Sequence, residues 1–236
     1  MKQEVFFKDL GTRRYKEVWD LQEILLKQNV EAKTEQYKAI STNIFIPQTT
    51  NHLLFVEHLP VYTLGKSGNQ ENVLINEEMR LQKGIEFFHI NRGGDITFHG
   101  PEQLVGYPIL DLDKFKTDLG WYLRSLEEVI ILTLAEYGIK GERSEGETGV
   151  WIDATIPGKE RKICAMGIKC SRWITMHGFA LNVNTDLNYF DYIVPCGIVN
   201  KQVTSLEKEL GTKVPMYDVK DRVKRNFEWV FNAYLV

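Results

Sequence analysis

Cysteine is scarce in this chain of 236 residues, and its three cysteines follow no metal or disulfide pattern. Cys164, Cys170 and Cys196 form neither an even disulfide set nor a CxxC pair, so free thiols in a reducing compartment are the simplest interpretation. The five histidines show no HExxH spacing, and the P-loop and strand–helix GxGxxG patterns are absent. We therefore expect no metal and no nucleotide cofactor.

Neither sign of charge dominates, and no long apolar run occurs. The formal net charge is −3, with 29 Lys and Arg scattered among 32 Asp and Glu, which argues against binding to nucleic acid or to an acidic membrane. The apolar runs fall short of the ~20 residues that span a bilayer, and residues 1–10 lack the apolar region of a signal peptide. We expect a cytoplasmic protein with protein or small-molecule partners.

The composition is that of an ordinary globular domain, with 43% hydrophobic and 26% charged residues. No repeat, low-complexity tract or linker rich in Pro, Gly and Ser divides the chain. A chain of this length buries roughly 70% of its unfolded surface on folding. Residues 1–236 are therefore expected to form a single domain.

Apolar residues at helical spacing predict three helices. They are an opening helix with Tyr15, Val18, Leu21 and Leu25, a central helix with Leu119, Tyr122, Leu123, Leu126, Val129, Ile130 and Leu134, and a closing helix with Val219, Val223, Phe227, Val230, Phe231 and Tyr234. Gly138 lies where a glycine would end the central helix.

Short runs rich in β-branched and aromatic residues predict strands between these helices. The runs are 44–46, 53–56, 85–90, 149–153, 162–168 and 179–183. The turn-prone sequence 157–159 (PGK) suggests a hairpin between two of them. Strands with helices laid on a face indicate an α/β or α+β fold.

A glycine-rich loop is the most unusual feature, at 92–108 (RGGDITFHGPEQLVGYP). Paired glycines allow the backbone to approach a ligand closely and expose N–H groups for an oxyanion, while Arg92, Thr97 and His99 supply polar groups. A tight turn with a bulge explains a Gly-Gly pair equally well. The glycines alone do not decide between a ligand-binding loop and a turn.

Lys162 and His177 stand out in the predicted strands that follow. Lys162 opens an otherwise apolar strand, where a lysine ordinarily extends its ammonium into solvent. His177 precedes a glycine and fits a hydrogen-bonded core or turn histidine. Neither residue by itself implies catalysis.

Cys196 is the best candidate nucleophile, because Pro195 and Gly197 place it on a turn where its thiol can be exposed. Cys164 and Cys170 lie among strand residues and are expected to be inert. A cysteine nucleophile needs a nearby base or cation, and the sequence offers His99, His177 and Lys162.

Together these stretches resemble the lipoyl(octanoyl) transferases. The family signature combines an RGG-x-x-T-x-HGPGQLVGYP loop, a K-I-x-x-x-G strand with HG-x-ALNV, and PCG, and residues 57–65 (EHLPVYTLG) look like its earlier strand and loop. The resemblance implies an α+β fold with a mixed sheet and helices packed on it, like the biotin and lipoate protein ligases. It also implies an acyl-binding site formed by Arg92, Gly93, Gly94, Asp95, Ile96, Thr97, Phe98, His99, Ala165, Met166, Gly167, Gly178, Phe179 and Ala180.

The resemblance further implies the reaction. The family's acyl-thioester cysteine falls on Cys196, and the lysine that lowers its pKa falls on Lys162. The expected donor is octanoyl-acyl carrier protein, with octanoyl or lipoyl as the acyl group. The expected acceptors are lipoyl domains of 2-oxoacid dehydrogenases and the glycine cleavage H protein.

Two other functions remain open at this point, and one position departs from the signature. An ATP-dependent lipoate or biotin ligase would share the fold but needs no cysteine nucleophile, and a non-catalytic acyl-binding scaffold would share the pocket. The presence of both Lys162 and Cys196 disfavours these two alternatives. Glu102 stands where the signature has glycine, and we expect it at the rim of the acyl pocket, where it affects donor docking.

Overall fold

The computed structural model describes residues 2–39, 47–194 and 202–236. In chain order its strands and helices are β1 (Gln3–Arg13), α1 (Tyr15–Ala39), β2 (His52–His58), β3 (Val61–Leu64), α2 (Glu77–Gln82), β4 (Glu86–His89), β5 (Ile96–His99), β6 (Gln103–Ile109), α3 (Leu119–Ala135), β7 (Glu142–Ser144), β8 (Glu147–Ile152), β9 (Arg161–Ser171), β10 (Ile174–Asn182), β11 (Gln202–Val203), α4 (Leu206–Leu210), α5 (Met216–Val230) and β12 (Ala233–Leu235).

In these ranges the strands form two sheets. The larger sheet has the order β12-β1-β2-β6-β10-β9-β8-β7, with β11 paired to β9, and the smaller sheet has the order β4-β3-β5. Parallel pairs (β1 with β2 and β12, β9 with β11, β3 with β4) occur beside antiparallel ones, so both sheets are mixed. The predicted α+β class, with a mixed sheet and helices packed on it, is confirmed.

Helices cover both faces of the larger sheet. On one face, Leu126 of α3 and Phe227 of α5 are buried in one cluster with Leu104 and Phe179 of the sheet. On the other face, Val18 and its neighbours in α1 pack on Val105, Tyr107 and Ala180. Neighbouring residues such as Leu104 and Val105 thus face opposite cores, as the two-residue period of a strand requires. No helix in the described ranges is long and apolar enough to cross a membrane.

Most of the predicted elements are present. The runs 149–153 and 162–168 fall on β8 and β9, which pair antiparallel around residues 157–159 as expected for a hairpin. Gly138 has φ +74°, and the N–H groups of Gly138 and Ile139 donate to the carbonyls of Ala135 and Leu134. These bonds form a Schellman motif, which requires a left-handed residue at this position. The predicted strand 44–46 lies outside the described residues.

The predicted closing helix is wrong in its last residues. The helix α5 ends at Val230, Asn232 takes a left-handed conformation with φ +48°, and Tyr234 lies in β12. Strand β12 pairs in parallel with the start of β1. Phe231 and Tyr234 keep the helical phase by coincidence, because hydrogen bonding to β1, distant in sequence, determines the backbone there.

Candidate active site

A cavity of about 460 Å³ opens beside the glycine-rich loop. Its wall combines residues of the loop, of β9 and β10 and of the helices α1 and α3. The lining residues are Tyr15, Ser67, Arg92, Gly93, Gly94, Asp95, Ile96, Thr97, His99, Val105, Tyr107, Leu123, Gly146, Glu147, Thr148, Lys162, Ala165, Met166, Gly167, Ile168, His177, Gly178, Phe179 and Ala180.

Close backbone contacts hold the glycine-rich loop against its neighbours. The Gly93 N–H donates to the Ile168 carbonyl of β9 over 2.9 Å. A Cβ on Gly167, in the same strand, would lie 2.7 Å from the Gly93 carbonyl oxygen. No side chain fits at that distance, so glycine at position 167 is required for the loop to approach β9. The Gly93 N–H is occupied by Ile168 and is therefore not the expected oxyanion donor.

The buried side chain of Arg92 holds the glycine-rich loop in place through hydrogen bonds. Its Nη2 donates to the carbonyl and the hydroxyl of Thr63 in β3 over 2.7 and 3.1 Å. Its Nη1 donates to the Gly93 carbonyl over 3.1 Å. A buried guanidinium needs such partners because an unpaired charge is very costly in the interior. Arg92 therefore joins the loop to the smaller sheet and places a positive charge at the cavity wall.

Asp95 ties a second loop to the cavity. Its carboxylate accepts the N–H of Asn69 over 3.2 Å, its own loop's Ile96 N–H over 2.7 Å, and a hydrogen bond from the side chain of Asn72. The Asn72 carbonyl in turn accepts the N–H of Val194 over 2.8 Å. The chain that leads into residues 195–201 is thus fastened, through Asn72, to the cavity loop.

A chain of buried polar side chains runs from His99 across the larger sheet. The His99 Nδ1–H donates to Gln103 Oε1 over 2.9 Å, and Gln103 Nε2 donates to Asn182 Oδ1 over 2.9 Å. Asn182 Nδ2 donates to the Thr204 carbonyl over 3.0 Å, and the Thr204 N–H donates to the Lys162 carbonyl over 3.0 Å. The chain that leaves residues 195–201 is thereby fastened beside Lys162.

The three buried histidines near the cavity are held neutral. Burial lowers the pKa of His58 to about 4. Burial, followed by the positive charges of Arg92 and Lys169, lowers the pKa of His177 to about 3. Burial, followed by repulsion from His58, also lowers the pKa of His99 well below its ordinary value. With pKa values lowered in this way, His99 and His177 are neither cations nor effective bases at neutral pH, which leaves Lys162 among the three candidates that the sequence offered.

Lys162 lies in β9 at the cavity wall and is only 9% exposed. It does not extend into solvent as a strand-terminal lysine ordinarily does. Its Nζ lies 4.6 Å from the ring centroid of Trp151, the residue opposite it in β8. An ammonium over an indole face is electrostatically favoured. The side chain is therefore directed by its strand neighbours toward the cavity.

Cys164 and Cys170 are free thiols in β9, as the sequence predicts. Cys164 is fully buried, and burial raises the pKa of its thiol. Cys170 is partly exposed, and burial also raises the pKa of its thiol. Both thiols are poor nucleophiles at neutral pH, since the thiolate is the reactive form. Cys196, with Pro195 and Gly197, lies outside the described residues.

All the expected acyl-site residues in the described ranges line the cavity except Phe98. The Phe98 ring lies in the core of the smaller sheet, stacked on Tyr189 at 4.5 Å between centroids. Thr97 and His99 line the cavity, so strand alternation directs Phe98 away from it. Sequence reasoning missed Tyr15 and Leu123 as lining residues, because a helical stripe of apolar residues does not distinguish a core contact from a cavity wall.

The expectation that Glu102 lies at the rim of the acyl pocket is wrong. Glu102 lines a separate depression with Asn184 and residues 213–216, and its carboxylate accepts a hydrogen bond from Asn184. Its φ of +61° is left-handed, which explains why glycine suits this position. The acidic side chain extends away from the cavity because the tight turn before β6 directs it toward Asn184.

Comparisons with known proteins agree with this architecture. A model of the "Lipoyl protein ligase A/B catalytic domain" matches residues 14–228. An octanoyltransferase of Christiangramia forsetii is 56% identical over 236 residues, covering 100% of this chain and 99% of the relative. An octanoyltransferase of Flavobacterium johnsoniae is 55% identical over 237 residues, covering 100% of both chains.

Among solved structures, a bi-partite lipoate protein ligase from Thermoplasma acidophilum superposes with a TM-score of 0.67. It is 16% identical, and the match covers 100% of this chain and 86% of that one. This likeness shows the fold alone. The sequence relatives are full-length, and they separate this chain from the ligases of the same fold. The chain belongs to the octanoyltransferase family, on the lipoyl protein ligase A/B catalytic fold, and is an acyltransferase.

Proposed function

We propose that this octanoyltransferase moves octanoyl, or lipoyl, from an acyl carrier protein thioester to the lysine of a lipoyl domain, through a thioester on Cys196. The observation that carries the proposal is the cavity of about 460 Å³ whose wall joins the glycine-rich loop to Lys162. Its apolar wall, with Val105, Leu123 and Met166, suits a medium-length acyl chain. The polar groups of the glycine-rich loop suit the carbonyl end of the acyl group.

Both flanks of residues 195–201 lead to this cavity, which supports Cys196 as the nucleophile. On one side, Val194 is bonded to Asn72 and through it to Asp95 of the loop. On the other side, β11 pairs in parallel with β9, with Val203 opposite Lys162. The described chain on each side of residues 195–201 is therefore attached to elements that line the cavity, in support of Cys196.

The reaction needs one nucleophile and one proton carrier. In the first step the Cys196 thiol gives its proton to the Lys162 amine, and the thiolate attacks the octanoyl thioester. The carbon–sulfur bond to pantetheine breaks, and Lys162 returns the proton to the departing thiolate. In the second step the acceptor lysine amine attacks the Cys196 thioester, the carbon–nitrogen bond forms, and the carbon–sulfur bond to Cys196 breaks. Lys162 takes the amine proton and passes it to the Cys196 sulfur, so the enzyme ends unchanged.

No external energy source is needed for this sequence of steps. Exchange of one thioester for another is nearly isoenergetic, and conversion of a thioester to an amide is downhill. We propose accordingly that transfer is independent of ATP, and that lipoyl domains of 2-oxoacid dehydrogenases and the glycine cleavage H protein are the acceptors. We further propose that residues 1–236 act as one catalytic domain, and that the free thiols of Cys164 and Cys170 suit the cytoplasm.

Intact-protein mass spectrometry tests the proposal. The enzyme is incubated with octanoyl-carrier protein without ATP, and an apo lipoyl domain is then added. We expect one octanoyl group on the enzyme, which passes to the lipoyl domain. Transfer that requires free octanoate and ATP would instead show a ligase, and binding without any covalent adduct or transfer would show an acyl-binding scaffold.

A further inference from the structure

Two residues of the neighbouring strand β8, Trp151 and Gly149, lie beside Lys162. Trp151 is opposite Lys162 in the β8–β9 pair, and its ring centroid lies 4.6 Å from the lysine Nζ. The indole is 1% exposed, so water does not compete for its face. A desolvated cation–π contact of this kind holds an ammonium in position over the ring.

Gly149 lies against the lysine from the same strand. Its φ is +120°, and a Cβ there would lie 2.5 Å from the Cys164 carbonyl oxygen and 3.6 Å from Lys162 Cε. The strand register shifts between Val150, opposite Cys164, and Trp151, opposite Lys162, so the extra residue of this bulge is Ile163 of β9. Glycine is required at position 149 by this conformation and by the close Cys164 carbonyl, and the Lys162 stem packs beside it at an ordinary contact distance.

Glu127 of α3 holds Gly149 in this place. Its side chain is fully buried, and its Oε1 accepts the Gly149 N–H over 3.0 Å. The other oxygen, Oε2, accepts from Arg143 Nε over 3.0 Å and pairs with Arg124 Nη1 at 2.8 Å. Removing a carboxylate from water is costly, and the ion pairs offset that cost. The two oxygens therefore have separate partners, one toward Gly149 beside Lys162 and one toward the outer arginines.

We propose that Trp151 and Glu127 are positioning residues for Lys162. Trp151 holds the ammonium over its ring, and Glu127 holds the Gly149 backbone beside the lysine stem. The proposal rests on the proton-carrying role proposed above for Lys162. It assigns a function to a buried carboxylate and an indole that the cysteine chemistry itself does not use.

Substitutions at Trp151 distinguish the effect of its aromatic face from the effect of apolar packing. Trp151→Phe keeps an aromatic face under the ammonium, whereas Trp151→Leu keeps an apolar side chain without one. We expect Trp151→Leu to slow acylation by about fivefold to thirtyfold, the range of a buried cation–π contact. Trp151→Phe should stay within about twofold of wild type, since it retains a weaker contact of the same kind. The donor KM should change in neither variant.

Substitutions at Glu127 and Arg143 distinguish the roles of the two Glu127 carboxylate oxygens. Glu127→Leu removes the acceptor for Gly149, and Glu127→Gln retains one. Arg143→Leu is the matched control, because it removes a partner of Oε2 and leaves the Gly149 hydrogen bond intact. We expect Glu127→Leu to slow acylation and Glu127→Gln to restore most of the rate. Arg143→Leu should lower the Tm with little effect on the rate.

The experiment measures single-turnover acylation from octanoyl-carrier protein between pH 6 and 10, with Tm recorded for each variant and Lys162→Met as the reference. We expect Trp151→Leu to require a higher pH for half-maximal acylation, in the direction of Lys162→Met, because a poorly held ammonium stabilises the thiolate less. A Trp151→Leu rate and pH profile equal to wild type, with Lys162→Met impaired, would overturn the inference alone. A Lys162→Met enzyme as fast as wild type would overturn the role of Lys162 itself. If Glu127→Leu does not fold, the Trp151 pair decides.

Discussion

The carbonyl oxygen of Gly94 lies 2.2 Å from the point at which Gly65 would carry a Cβ. The turn after β3 and the glycine-rich loop thus meet backbone to backbone, and the Lys66 N–H donates to the Arg92 carbonyl over 2.9 Å at the same contact. A side chain at Gly65 would push the loop away from the smaller sheet. The position of the glycine-rich loop at the cavity therefore depends on the absence of a side chain at position 65.

Gly94→Val should lower octanoyl transfer by at least about tenfold in a folded protein. Gly94 lines the cavity and has φ +88°, so a branched side chain both strains the backbone and fills space beside Arg92. Left-handed strain of this kind costs about 1–3 kcal/mol. The measurement is the transfer rate together with Tm.

Gly158→Val is the control for that strain. Gly158 has a similar φ of +78° and would meet nothing within 4 Å, in the exposed hairpin turn between β8 and β9. We expect a comparable loss of Tm and unchanged transfer. Equal activity in the two variants would remove Gly94 from the acyl site.

Glu102→Gly should leave kcat within about twofold of wild type. The substitution relieves the left-handed backbone at φ +61° but removes the hydrogen bond from Asn184, which is worth about 1 kcal/mol. The two effects oppose each other, so a small Tm change is expected. Kinetics with octanoyl-carrier protein check the result, and a large loss of kcat would place Glu102 in the chemistry although it lines a separate depression.

Acid should destabilise the protein through its buried histidines. In the folded state the pKa is about 4 for His58 and about 3 for His177, whereas an unfolded histidine titrates near ~6.5. The unfolded state therefore binds more protons below this pH, and the free energy of unfolding falls as the pH drops from about 6.5 to about 4. The slope is up to ~1.4 kcal/mol per pH unit for each such histidine.

Denaturant titrations between pH 4 and 8 measure this slope. His58→Gln should reduce it by the contribution of one proton. A free energy of unfolding that stays constant from pH 6.5 to 5 would show that these histidines are protonated in the folded state.

The sequence predicts local features where neighbouring residues determine them. Three such features agree with the structure. They are the apolar stripe of α3 with Gly138 at its end, the β8–β9 hairpin and the loop at 92–99. Features set by distant partners were not predictable. Strand β12 depends on β1, at the other end of the sequence, and Phe98 faces a core built by Tyr189.

In the site, too, residues of local motifs were predictable and residues brought in by distant packing were not. Motif residues such as Gly93 and Gly167 were expected to form one site, and the close approach of the Gly93 carbonyl explains why residue 167 is glycine. Glu127 and Trp151 carry no signal in the sequence, because a charge in a helix and an aromatic in a strand are ordinary. Only the packing of α3 on β8 brings the Glu127 carboxylate to the backbone beside Lys162.

The central claim is that Cys196 carries the acyl group, and peptide mapping after incubation with octanoyl-carrier protein tests it most directly. Cys164 is fully buried, and burial raises the pKa of both the Cys164 and Cys170 thiols, so neither should react. We expect a hydroxylamine-labile octanoyl adduct on Cys196 that persists in Cys164→Ser and Cys170→Ser and is lost in Cys196→Ser. An adduct on Cys164 or Cys170, or transfer at the wild-type rate by Cys196→Ser, would contradict the account.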